Sequence, residues 1–244
     1  MNEGIGARVL RKEDLRFLTG RGGFVADLAV PDALHCAIVR SPHAHARIRS
    51  IDVVAAAAAP GIVAVLVGAD MAADGVGPMR SLWTIRSHSG EPMAEPPRWA
   101  LARERVRHVG EPVSIVLAES RGAALDAAEL VDVDYEPLPA VAVSVDALAD
   151  GAPQLHADAP GNVCFRWQRG DPAAVERAFA QAAHTVELQL HNNRLAGCAI
   201  EPRAAVALPG ADGDSLTLYS ATQVPHFVPG SSPSSSASSS SRSA

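Results

Sequence analysis

Short apolar segments, each cut off by proline, limit this chain to sheets of brief strands. Leu34-His35-Cys36-Ala37-Ile38-Val39-Arg40 has the apolar, β-branched character of a strand. Ser41-Pro42 stops it, because proline has no N–H to give to a ladder. A Gly110-Glu111-Pro112 turn separates a strand-like 105–108 from 113–118. Residues 131–135 alternate Val, Asp, Val, Asp, Tyr before Pro137 and Pro139 close the run, so one face is expected to be buried and the other acidic.

Between these segments the helix signals are local. Asp52 is placed to cap an alanine-rich turn or two ending at Pro60-Gly61, after which 62–67 reads as a buried strand. Ser120 is an N-cap for a helix over 121–130, and Asp171-Pro172 offers a capping Asp followed by Pro at the first helical position. A second short strand is expected over 46–51. Further strands are expected over 163–168 and over 184–191, where Val186, Leu188 and Leu190 alternate with polar residues. Residues 204–208 and 216–220 flank a Gly210-Ala211-Asp212-Gly213 turn and predict a hairpin. Prolines, glycines and isolated Trp83 and Trp99 predict a long surface loop over 70–100, and Pro153 and Pro160 a linker over 150–162. Strand, helix, strand runs of this kind indicate an α+β class.

A net charge of −6, with arginines scattered among carboxylates, offers no basic field for a phosphate backbone, so nucleic acid is not an expected partner. Three widely spaced cysteines, Cys36, Cys164 and Cys198, argue against a disulfide framework or a Cys-x-x-Cys knuckle. No apolar run is long enough for a membrane span and the first residues carry no signal pattern, so a cytoplasmic protein is expected. From Pro229 the composition shifts to ten serines between Ser231 and Ser243. Such a tail has nothing to bury and is expected to be disordered; the abruptness suggests out-of-frame translation of GC-rich DNA.

Several blocks, taken in order, carry a resemblance. They are Thr19-Gly20-Arg21-Gly22-Gly23-Phe24-Val25-Ala26-Asp27, Arg40-Ser41-Pro42-His43-Ala44-His45-Ala46-Arg47-Ile48, His108-Val109-Gly110-Glu111-Pro112-Val113 and the 131–139 segment. Asn192-Asn193-Arg194, Glu201-Pro202-Arg203 and Thr222-Gln223-Val224-Pro225-His226 follow. Together they resemble the molybdopterin-binding large subunit of the xanthine dehydrogenase, aldehyde oxidase and carbon monoxide dehydrogenase family, with Ala26 where a second acidic residue is usual.

The resemblance implies an α+β fold: a lead-in arm at 1–18, an a/b hammerhead domain at 19–142, an incomplete molybdenum cofactor-binding domain at 150–228, and the tail at 229–244. It also implies a cofactor, molybdenum-molybdopterin cytosine dinucleotide, in the intact family member. Iron-sulfur (2Fe-2S) and FAD partner subunits are implied as well, with a small-molecule substrate that stays open among purines, aldehydes, N-heterocycles and carbon monoxide. Gln223 matches the family glutamine whose amide donates to the oxo ligand of molybdenum; read without the resemblance, it is a turn residue after a strand. The glycine-phenylalanine-glycine cofactor loop and the glutamate general base would lie beyond Val228. The resemblance therefore predicts a truncated chain that is inactive alone and binds no cofactor by itself. A non-catalytic subunit-docking module is the alternative.

No catalytic residue and no metal ligand is assigned. His43 and His45, two apart on an extended segment, could suit a zinc ion, but no third ligand has a convincing spacing, so a structural role at a turn or a subunit contact is expected. Asp132, Asp134 and Glu136 read as a solvated strand face rather than a cation site. Gly20, Gly22 and Gly23 lack the Gly-Lys-Ser/Thr of a phosphate loop, Cys36 and Cys198 read as packing residues, and Glu201 reads, by resemblance, as a structural strand residue.

Overall fold

A computed structural model of the chain describes residues 4–7, 9–81, 83–193, 195–213 and 215–224. The serine-rich tail, together with Arg194, Pro225 and His226 of the quoted motifs, lies outside the described residues. Two compact units emerge, one over 32–190 and the other combining the described residues of 1–31 with those from 191 onward.

The larger unit contains two three-stranded antiparallel sheets. In the first, β1 (His35–Arg40) and β3 (Ile62–Val67) flank β5 (Pro112–Ala118), with Ile38 opposite Ile115 and Val65 opposite Val116. In the second, β4 (Arg105–Val106) and β6 (Asp132–Pro137) flank β2 (Ala46–Asp52). Proline bounds these strands as the sequence predicts. Pro112 opens β5, and β1 stops before Ser41-Pro42.

Small residues let helix and sheet approach closely. α2 (Val54–Ala57) is started by Asp52, whose Oδ1 accepts from Val54 N at 2.9 Å. α4 (Arg121–Ala128) is capped by Ser120, whose Oγ accepts from Ala123 N at 3.2 Å. Ala124 and Ala127 of α4 are buried with Ala37, Ala56, Val116 and Ala118 in one core cluster. Ala46, Ala102, Val106 and Val113 form a second. Ser114, fully buried, is satisfied by donating from Oγ to Leu66 O at 3.0 Å. Gly68 opens α3 (Gly68–Ala73), and a Cβ there would sit 2.7 Å from Ala102 O, so only glycine fits this approach.

The expected 70–100 loop begins only after α3, and it is pinned by isolated bridges, Met79 with Arg98 and Arg86 with Pro92. The expected linker is not a free one. Arg107 Nε donates to Leu155 O at 3.0 Å, Asn162 Nδ2 donates to the carbonyls of Ala147 and Pro153, and Gln154 Nε2 to those of His156 and Ala159. These bonds hold 153–162 within the larger unit, and the division between the two compact units falls at 190.

Two expected strands do not form. Residues 163–168 hold on one side only, through Ala94 N to Cys164 O and His88 N to Arg166 O, and never gain a full ladder. Residues 184–191 are irregular, because no strand among the described residues pairs with them. α5 (Pro172–Gln181) does form where its signal predicts, with Asp171 Oδ1 accepting from Ala174 N at 3.1 Å.

In the smaller unit, α1 (Asp14–Leu18) and the hairpin of β7 (Ala205–Pro209) and β8 (Leu216–Ser220) are the regular elements, besides a single 3-10 turn at Val25–Asp27.

Candidate functional site

Gln223 is positioned by the hairpin. Asp212 Oδ1 accepts from the N–H and hydroxyl of Ser215 at 3.0 and 2.8 Å, tightening the turn between β7 and β8. Ala221 N donates to Ala204 O at 3.0 Å, extending the pairing by one rung past β8. The chain then turns: Thr222 Oγ1 accepts from Val224 N at 3.2 Å, a local side-chain turn that leaves Gln223 at its corner with its side chain exposed.

Glu201, beside the Pro-Arg of its motif, is not on a strand; it precedes β7. Its Oε1 accepts from Val25 N at 3.3 Å, tying the lead-in turn to the hairpin unit. The role is structural, as expected, but it is made from a loop.

The histidine pair separates into two structural jobs. His45 is 5% exposed, and its Nδ1 lies 2.7 Å from Pro139 O. A carbonyl only accepts, so Nδ1 carries the proton. Nε2 is enclosed without a partner. His43 instead stacks, tilted, on Tyr135 with ring centroids 4.9 Å apart. Burial pushes the Tyr135 phenol up, and neighbouring Ser41 offsets part of that. Among the described residues no cluster of three or more His, Cys, Asp or Glu is placed to hold a metal ion.

Around this pair the family-like turns are knitted together. Ser41 N donates to Glu111 O at 2.9 Å and Gly110 N to Ser41 O at 2.8 Å, with Gly110 at a φ of 86° that suits glycine. Glu111 turns its carboxylate onto Arg107 N, with His108 Nδ1 3.6 Å away. Burial pulls the His156 imidazole below its usual pKa, and the Arg107 guanidinium adds to this, while Glu111 and Asp158 oppose it. The acidic strand face is solvated: Glu136 meets Arg47 and Arg49 at 3.8 and 3.6 Å, and Asp132 and Asp134 face water.

An open hollow of about 600 Å³ lies between the 87–94 and 160–166 segments, lined by Met93, Phe165, Cys164, Arg166 and Glu91 among others. Its position is set by the irregular pairing of 163–168, and sequence reasoning, which expected a strand there, did not find it.

Residues 19–139 match the family described as aldehyde oxidase and xanthine dehydrogenase, a/b hammerhead domain, and residues 155–231 match the molybdopterin cofactor-binding domain. The carbon monoxide dehydrogenase large chain of Hydrogenophaga pseudoflava is 37% identical over 237 residues, covering 92% of this chain and 28% of that one. The nicotine 6-hydroxylase large subunit of Paenarthrobacter nicotinovorans is 40% identical over 224 residues, covering 92% of this chain and 26% of that one. Among solved structures, quinoline 2-oxidoreductase from Pseudomonas putida 86 matches with a TM-score of 0.78 and 40% identity, over 90% of this chain and 27% of that one. The chain thus spans about a quarter of the length of these relatives.

Proposed function

Because the chain belongs to the aldehyde oxidase and xanthine dehydrogenase family, as an a/b hammerhead domain followed by the start of a molybdopterin cofactor-binding domain, we propose that it serves as the scaffold quarter of a molybdenum hydroxylase large subunit. The observation that carries this reading is the succession of both domain types within one chain, at 37–40% identity to large subunits of that kind over 92% of its length.

The residues present do not fit a whole cofactor. Gln223 offers one amide donor on an exposed turn, and the described residues around it build no enclosing wall. In the assembled subunit Gln223 would be a cofactor-binding residue, its side-chain amide offering one hydrogen-bond donor to the bound group. The cofactor is molybdenum-molybdopterin cytosine dinucleotide, which supplies oxidation of a substrate carbon with oxygen from water. The chain alone binds none and turns nothing over. Partner subunits carrying 2Fe-2S clusters and FAD receive the electrons, and the substrate is a small aldehyde, purine, N-heterocycle or carbon monoxide.

Domain limits of 19–142 and 150–228 belong to this proposal, as does a cytoplasmic location; no helix among the described residues is long and apolar enough to cross a membrane. Metal analysis of the purified chain tests the scaffold reading. No molybdenum above background is expected, and one molybdenum per chain would contradict it.

A further inference from the structure

Residues 153–162 form a strap that is braced from within and tied to the second sheet by an arginine. Asn162 Oδ1 accepts from Leu155 N at 3.0 Å, Gln154 Oε1 accepts from Gly161 N at 3.0 Å, and Ala159 is buried. The tie is Arg107, which follows β4 and whose Nε donates to Leu155 O at 3.0 Å. His156 comes directly after Leu155 and is half-buried, so a charge gained there arises beside the guanidinium that holds the strap.

The groups facing this imidazole do not absorb that charge. Burial opposes it most, Arg107 adds to this, and so does His45 from the turn before β2. Two carboxylates favour it. Asp158, on the strap, is exposed to water, and Glu111 already accepts from Arg107 N and lies 3.6 Å from His108 Nδ1. The balance leaves the imidazole easier to protonate once the strap has moved away from Arg107 than while it is held.

We infer that 153–162 is an acid-released latch: a neutral His156 lets Arg107 hold Leu155, and a cationic His156 frees the strap while both sheets stay folded. Opening of this kind breaks few bonds and leaves the core clusters intact, Val113 and Val116 of those clusters lying on β5. Pro160 and Gly161 of the strap line the hollow beside Met93 and Phe165, so release unmakes one wall of it. Every group in the latch belongs to the unit over 32–190, and the latch needs neither cofactor nor partner subunit.

Hydrogen exchange of the full 244-residue chain, corrected for intrinsic amide rates, tests the latch between about pH 7.5 and about pH 5. Protection at Leu155, Gly161 and Asn162, whose N–H groups are bonded within the strap, should fall severalfold toward acid. One proton limits the fall to at most about tenfold per pH unit, and β5 should keep its protection throughout. His156→Gln should hold strap protection level across the same range. Arg107→Gln should leave the strap exchanging fast even at about pH 7.5, with protection of β5 in both variants showing that they fold. Strap protection that ignores pH, a fall that persists in His156→Gln, an Arg107→Gln strap as protected as the unaltered one, or a fall shared equally by β5 would each overturn the inference.

Discussion

His45 and Pro139 close the second sheet: the imidazole Nδ1 donates to the proline carbonyl at 2.7 Å, joining the turn before β2 to the chain just after β6. Leu138 N returns a bond to His45 O at 2.9 Å, so the two segments are tied twice. The motif histidine thus clasps the second sheet through its Nδ1.

Replacing it should therefore cost stability. His45→Ala removes a buried hydrogen-bond donor to Pro139 O, a loss of about 0.5 to 1.5 kcal/mol. Urea denaturation reads this directly, and an unchanged midpoint would show the clasp to be slack.

Gly68→Ala should be destabilising by about 1 to 3 kcal/mol, because the new methyl meets the Ala102 carbonyl at 2.7 Å, a backbone atom that cannot swing aside. Thermal unfolding compares this variant with Gly77→Ala, where nothing lies within 4 Å of the added carbon.

Acidification should weaken the fold through His156. Its folded pKa lies below the ordinary 6.5, so the unfolded state binds the proton first. The stability of the neutral form is complete above pH 6.5 and is lost as pH falls through that value toward the folded pKa. His156→Gln should flatten this part of the stability profile; the same slope in both proteins would assign it to another group.

The sequence made these elements readable where the cause is local. Ser120 and Asp171 cap the helices they were expected to cap, Pro112 and Ser41-Pro42 bound their strands, and the β7–β8 hairpin follows its turn. Residues 163–168 and 184–191 have strand patterns just as clear, but a strand exists only if a ladder forms beside it, and pattern alone carries no record of the partner. The bonds from Arg107 to Leu155 and from Asn162 to Ala147 were invisible for a related reason. They join segments distant in sequence and turn a proline-marked linker into part of a compact unit. Gln223 is singled out only by its place in a motif, and its exposed turn adds nothing to that reading.

Gln223→Ala should leave the stability of the chain unchanged to within about 0.5 kcal/mol, as for exposed positions generally. In an assembled large subunit the same change should slow turnover by the worth of one donor in a dry site, roughly 1 to 3 kcal/mol. Steady-state kcat beside a melting curve separates the two, and a change in melting temperature without a change in kcat would make Gln223 merely structural.

We propose that this chain folds as a scaffold whose described residues build too little of a molybdenum site to hold the metal alone. Molybdenum content per polypeptide, measured on a chimera in which this chain replaces the matching quarter of the nicotine 6-hydroxylase large subunit, tests it most directly. One molybdenum per chimera is expected, and none on the 244-residue chain by itself. A folded chimera without metal would show that this chain is not such a scaffold, and metal on the isolated chain would show that its own residues suffice to hold it.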